Sequence, residues 1–258
     1  MNNASDIQPK TIYLALFWTC ALSPVLLWGC GGAYITPARG ISMTTLTNAD
    51  QDIRERMLRK PASPFPARLA MVRAQAPGYR SYRSEGYGSG RYSVVTARDI
   101  EHDEDMQRLK SLPMITAVAA LNRMVIPSRL ETDKELRLGA ASLKADLLLV
   151  YSIDTTFRIG ERDFGPLRLI SLGMLPTKEA KVTATASAAL FDVRTGYVYG
   201  LAESTAQEKQ IASHWTKKQV IDEARQRAER KAFELMLDEF EKMWNQVVGE
   251  YAATPTAG

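Results

Sequence analysis

Along these 258 residues the spacing of apolar positions changes period several times, and each change marks an element. An unbroken apolar stretch runs from Thr11 to Gly29 after a short polar start with one lysine, Lys10. Gly31-Gly32-Ala33-Tyr34 and Thr36-Pro37-Ala38-Arg39-Gly40 then read as a flexible tether. Asn48 is placed to cap a helix of about ten residues that ends before Pro61. Pro61, Pro64 and Pro66 mark a linker, Ala67–Arg73 a strand, Pro77–Gly90 a loop, and Tyr92–Val95 a second strand. Glu101–Leu112 begins acidic and ends basic, as a helix dipole favours, and Pro113 stops it. Ile115–Ile126 is apolar with a mixed period and predicts a strand running into a turn at Pro127.

Thr132-Asp133-Lys134-Glu135 has the spacing of a capping box, in which threonine and glutamate satisfy each other's free backbone N–H. Leu136, Ala140 and Leu143 follow on one helical face, and Asp146 closes that helix. Leu147-Leu148-Leu149-Val150-Tyr151 is a continuous apolar run, expected of a central strand buried on both faces. Beyond it Ile153, Thr155, Phe157 and Ile159 alternate with Asp154, Thr156 and Arg158, so the strand emerges half solvated. Gly160–Pro176 mixes glycine, proline and unpatterned apolar residues and reads either as an exposed loop or as core.

From Lys181 to Glu203 the period is two. Val182, Ala184, Ala186, Ala188 and Leu190 form a small apolar face that lets a helix pack close to the sheet. Asp192-Val193-Arg194-Thr195-Gly196 is a turn with Gly196 free to take positive φ, and Tyr197-Val198-Tyr199 returns as the partner strand. A long helix from about Ser213 to Val248 ends the pattern. Its apolar stripe is Trp215, Ile221, Ala224, Ala228, Leu235, Phe240, Met243 and Val247. Lys218, Arg225, Arg227, Arg230 and Lys231 lie opposite and are expected to be solvated.

Composition adds little: 45% hydrophobic and 24% charged residues describe an ordinary globular chain. A formal charge of +4 is too small to name a partner. The cysteines say more. A polar start, an apolar core and a small residue before Cys30 read as a bacterial export signal. Leu27-Trp28-Gly29-Cys30 resembles the lipobox of bacterial lipoproteins, in which the cysteine thiol takes a diacylglycerol and becomes the first residue. An uncleaved anchor is the alternative, since this predominantly apolar run of nineteen residues nearly spans a bilayer, for which about 20 are needed. Cleavage removes Cys20 and lipidation consumes Cys30, which leaves no thiol for a disulfide, a nucleophile or a metal site.

No catalytic constellation is visible. His102 and His214, the only histidines, stand far apart, and His102-Asp103-Glu104-Asp105 reads as a solvated helix start rather than a metal site. Gly86-Tyr87-Gly88-Ser89-Gly90 has the wrong spacing for a nucleophile elbow and precedes a strand rather than a dinucleotide-binding helix. Asp192 is accounted for by its turn. Tyr79, Arg80, Tyr82, Arg83, Tyr87, Arg91 and Tyr92 interleave aromatic and basic groups, which in an exported chain reads as a surface loop and not as a nucleic-acid site.

Three stretches together carry a resemblance to a family. Ala145-Asp146 followed by an apolar strand, then Phe191-Asp192-Val193-Arg194-Thr195-Gly196, then a long closing helix look like one envelope-protein superfamily. Its members include the curli-secretion channel lipoprotein, the lipoprotein activators of penicillin-binding proteins, and the amino-terminal domain of the Tol-system propeller protein. This chain lacks a pair of channel-forming hairpins and the long Pro/Gln-rich tether of the synthase activators. The resemblance implies an α/β (α+β) three-layer sandwich, a mixed sheet flanked by helices, that binds envelope proteins and performs no chemistry.

The expected organisation is a signal peptide over 1–29, a tether with a short helix over 30–64, the α/β domain over 65–250 and a tail over 251–258. The expected function is that of an outer-membrane lipoprotein facing the periplasm. It would be anchored at Cys30, without cofactor or metal, with a protein partner held through Tyr82, Tyr87, Leu169 and Leu172, and with self-association left open. An exported hydrolase or glycan-processing enzyme with a carboxylate site is the alternative.

Overall fold

The structure, a computed structural model, describes residues 40–43, 53–161, 178–212 and 217–252. After a short helix α1 (Ile53–Leu58) come β1 (Ala67–Gln75), β2 (Ser89–Gly90), β3 (Ser93–Val95), α2 (Asp103–Lys110), β4 (Ile115–Ala120) and β5 (Arg129–Leu130). Then follow α3 (Asp133–Ser142), β6 (Leu147–Glu161), β7 (Lys178–Asp192), β8 (Val198–Ala212), α4 (Lys217–Val247) and a π-helical turn (Val248–Ala252).

The main sheet is mixed. Strand β1 lies parallel to β6, and β6, β7 and β8 follow as an antiparallel meander. On the other edge of β1, β4 pairs in parallel with its first half and β3 antiparallel with its second, end to end. Beside it, β2 and β5 form a separate two-stranded ladder inside what the sequence reads as loop.

Apolar alternation explains the layers. One sheet face presents Leu69, Met71, Leu147, Leu149 and Tyr151 to α2 and α4; the other presents Val72, Leu148, Val150 and Phe191 to α3. The expected three-layer sandwich is therefore present. Helix α3 begins at the capping box: Lys134 N donates to Thr132 Oγ1 at 3.2 Å and Thr132 N to Glu135 Oε2 at 2.9 Å. The small face of β7 also does what its composition suggests. Ala184 and Ala186 meet the fully buried Ala224, Ala228 and Ala232 of α4, alanine against alanine, which lets a helix of 31 residues, about 46 Å, lie close to the strands. Larger side chains close the lower end, where Trp244 Nε1 donates to Pro113 O at 2.9 Å and Phe240 stacks on the indole.

Several boundaries differ from the sequence expectation. Strand β8 runs to Ala212, far past Tyr199, because its inward residues Ala202, Ser204 and Ala206 are too small and polar to register as an apolar face. Strand β4 stops at Ala120, and Leu121 and Ile126 are buried from irregular chain instead. The α4 stripe runs through Ala232, Phe233, Met236, Leu237 and Trp244, whereas Leu235 is exposed. Tyr251, assigned to the tail, stands edge-on against Tyr199 and shares a hydrogen bond with Tyr197, so packing continues past position 250. Among the described residues no helix is long and apolar enough to cross a membrane.

Candidate functional site: two buried polar centres and an open sheet face

The two motifs that carry the family resemblance meet at one end of the sheet. Asp192 is fully buried, and its carboxylate accepts five hydrogen bonds. Backbone N–H groups of Ala62, Arg194 and Thr195 donate at 2.6, 2.8 and 3.0 Å, and the hydroxyls of Ser63 and Tyr199 donate at 2.9 and 3.2 Å. Burial alone would raise its pKa; the Ala62 and Thr195 N–H groups, the Ser63 hydroxyl and the Arg194 N–H outweigh it and hold the carboxyl below its ordinary value. Burial and the neighbouring carboxylate in turn push the Tyr199 phenol up to about 12. Asp146 joins the same centre. Its carbonyl accepts from Ser63 Oγ at 2.8 Å and Val193 N at 3.0 Å, while its carboxylate meets Arg194 at 3.1 Å. Gly196 has φ +70°, and a Cβ there would lie 3.0–3.2 Å from the guanidiniums of Arg59 and Arg137. Asp192 thus has the turn role expected of it, and it also fastens residues 62–63 to the domain.

A second polar centre lies beyond the other end of β1. Arg73, Glu101, Asp222, Arg225 and Glu229 are buried and Asp99 is half-buried. Arg73 donates to Asp99 at 2.9 Å and to Tyr79 Oη at 3.1 Å. Arg225 holds Asp222 at 2.9 Å and Glu229 at 2.6 Å, and Glu229 accepts from Thr155 Oγ1 at 2.7 Å. Tyr151 donates to Glu101, and burial with that carboxylate raises the phenol's pKa. Ser84 Oγ donates to Asp99 at 3.0 Å, which lashes the 77–90 loop down. Among the described residues, a recess of about 20 Å³ lined by Arg73, Glu101, Tyr151 and Met106 among others reaches this centre, a volume that suits one water.

Both arginine and acid placements here depart from the sequence reading. Arg225 is fully buried rather than solvated, and Arg230 pairs with Asp105 and donates to Ile100 O at 3.0 Å. The acidic start of α2 is solvated at His102, Asp103 and Glu104 as expected, and only Asp105 is buried, taking His102 N at 2.7 Å as well as Arg230. Tyr79 and Tyr92 are core residues, with Tyr92 Oη bonded to Thr132 O at 2.7 Å. The loop is therefore built on two buried tyrosines. Of the proposed contact residues, Tyr82 is 46% exposed, while Tyr87 is half-buried under the Arg123 guanidinium, 5.3 Å from the ring centroid. Leu169, Leu172 and Cys30 lie outside the described residues.

Tether, loop and hairpin converge on this end. Gly40 bridges to Gln75 at the end of β1 and donates its N–H to Asp154. Strand β6 continues from that level to Glu161, where it is still paired with Lys178. Beside Gly40 a groove of about 670 Å³ lies on the sheet face that α3 leaves uncovered. Its walls are Ile41, Met43, Ser152, Asp154, Leu201 and Glu203. Glu203 accepts from Ser187 at 2.7 Å across the β7–β8 ladder. No cluster of three or more His, Cys, Asp or Glu side chains suited to a metal occurs among the described residues.

No family model matches the chain, and no curated protein does. Solved structures with a related arrangement come from bacteria. Protein XCC0632 from Xanthomonas campestris (DUF330) is 14% identical over 73% of this chain and 93% of its own, at a TM-score of 0.34. A putative neuraminyllactose-binding hemagglutinin homolog from Helicobacter pylori is 11% identical over 74% and 95%, at 0.35. The hypothetical protein CT253 from Chlamydia trachomatis is 13% identical over 73% and 99%, at 0.28. Similarity at this level assigns no activity.

Proposed function

We propose that the protein is a non-catalytic envelope lipoprotein, anchored at Cys30 in the outer membrane and facing the periplasm, that holds a protein partner at the end of the sheet where its tether joins. The observation that carries this reading is the convergence at Gln75: Gly40, the 77–90 loop and the outgoing β6–β7 pair all leave the domain there. Ten residues separate Cys30 from Gly40, a reach of at most about 33–36 Å. A partner gripped by Tyr82 and by Leu169 and Leu172 would sit within that distance of the bilayer. Tyrosine suits such a role because it joins a large contact area to a directional polar group. The buried ionic centre beneath the loop is then a mount, since its charged groups face one another across a recess with room for one water.

The test uses full-length protein in its own membranes. Labelled palmitate is expected to enter the wild type and not Cys30→Ser. Tyr82→Ala together with Leu169→Asp and Leu172→Asp is expected to leave the melting temperature within about 1 °C, as surface changes usually do, and to release the partner in a detergent pulldown. Partner retention by that triple variant would overturn the contact assignment, and turnover of a peptidoglycan or ester substrate would overturn the non-catalytic reading.

A further inference from the structure

Register across the meander brings three cations into one row. Arg158 of β6 stands opposite Lys181 of β7, which stands opposite Lys209 of β8. Side chains directly opposite on neighbouring strands have Cβ atoms about 4.5–5.5 Å apart, and like charges so placed repel. Arg158 and Lys209 are exposed and Lys181 is half-exposed, all on the face that carries Asp154 and Glu203. None of the three has an ion-pair partner among the described residues. The row on one side, Thr156, Thr183 and Gln207, is neutral, and register places Glu179 in the row on the other, between Gly160 and Ile211. Asp154 lies two rows from the cations, already engaged by Gly40 N, and Glu203 one row beyond that, bonded to Ser187. The three cations thus stand directly opposite one another across the ladder.

From these observations we infer that Arg158, Lys181 and Lys209 form a docking row for the phosphate groups of anionic lipid headgroups. Three cations in a line on an open, slightly twisted face match a plane of monoanionic phosphates better than a single compact anion, which would touch only two of them. Position supplies the second argument. Gly40 joins the same face at Asp154, four residues along β6 from Arg158, or about 13 Å at 3.3 Å per residue. A tether of ten residues to the bilayer therefore brings this face within reach of it. Juxtamembrane basic side chains are attracted to anionic leaflets, and the attraction fades within a Debye length. The row would lay the meander against the surface and turn the opposite face, with α4, away from it. This inference rests on the membrane-attached reading but not on which chemistry provides the attachment, because the readout below follows the row itself.

Full-length protein is reconstituted in vesicles of phosphatidylcholine alone and in vesicles with about a third phosphatidylglycerol, an anionic surface of the kind that attracts basic segments. Acetylation rates of individual lysines are read by mass spectrometry. Lys181 and Lys209 are expected to react several-fold more slowly in the anionic vesicles, and to regain their rates in 0.5 M salt and in Arg158→Gln. Lys60 and Lys134, exposed residues away from the row, are expected to react equally in both. Equal rates at Lys181 and Lys209 in the two vesicles would overturn the inference, whatever palmitate labelling shows at Cys30. Protection in both vesicle types would mean that the face is covered without regard to lipid charge, and protection by about 10 mM inorganic phosphate without lipid would mean a site for soluble oxyanions. Either result also overturns it.

Discussion

At the Gly196 end of the sheet a single carboxylate, Asp192, takes five donors, three of them backbone N–H groups drawn from two short stretches of chain. At the Gly40 end six charged side chains from β1, the β3–α2 link and α4 face each other, two guanidiniums against four carboxylates. The first centre is satisfied by dipoles, two of them (Arg194 N and Thr195 N) fixed by the turn itself and others brought by residues 62–63. The second is held by ion pairs that form only when elements far apart in sequence have docked. Burying charge in these two ways has different consequences. A carboxylate ringed by backbone donors stays satisfied when one donor is lost, whereas an ion taken from a closed network leaves its partners in low dielectric with nothing to face.

The contrast breaks most sharply at Arg225. Arg225→Met removes the nearest cation from Asp222 and Glu229, leaving them Arg83 at 3.8 Å and Arg73 at 3.9 Å, and is expected to cost about 3 kcal/mol, read from denaturant midpoints of the full chain. Adding Glu229→Gln should recover part of that loss, because Thr155 Oγ1 can still donate to the amide oxygen and one unpaired charge is gone. No recovery in the double variant would show that packing, and not charge, dominates there.

Asp192→Asn is the matching probe at the other end, expected to cost about 1–3 kcal/mol because an amide N–H₂ must then face donors. Its pH dependence has a definite sign. The folded carboxyl lies below its ordinary 3.8, so its contribution is complete above about pH 4 and is lost as pH falls through the folded value. The stability gap between wild type and Asp192→Asn should be flat from pH 5 to 8 and close only in stronger acid. Closure near neutral pH would contradict the five-donor geometry. Smaller again is Gly196→Val, at about 1–2 kcal/mol for a branched residue at φ +70°. Thermal melts that match wild type would show that Arg59 and Arg137 yield without cost.

The same contrast explains what could be read from the chain itself. Asp192 and Gly196 are legible as a turn because its chemistry is local: the aspartate and the glycine sit within five residues and Arg194 N and Thr195 N are near neighbours, whereas the donors Ala62 and Ser63 lie about 130 positions away and leave no local signal. The Thr132–Glu135 box and the alanine face of β7 are legible for the same reason. Arg225 and Glu229 are not. Polar residues at helical spacing look the same whether they face water or a buried arginine, and Arg73, which decides the matter, lies some 150 positions away. Tyr79 and Tyr92 are misread for a related reason, since a Gly/Ser-rich loop hides the two side chains that pin it. Among the proposed contact residues, the exposure of Tyr82 follows from its polar, Gly/Ser-rich setting, while the cationic row depends on strand register, which no single segment encodes.

The placement of Glu229 and Arg225 on α4 has a bearing on when this protein can fold. A chain that emerges from its N-terminus, from a ribosome or through a translocation channel, presents β1, the 77–90 loop and β6 long before α4 arrives. Until then Arg73 and Glu101 would lack part of their surroundings, and the alanine faces of β7 and β8 would have nothing to pack against. The stable structure is thus withheld until the last 40 or so residues are free, and domains of this size fold as units. Such an arrangement ties completion of the fold to the release of α4. A chain cut before α4 would be expected to stay open and to be degraded.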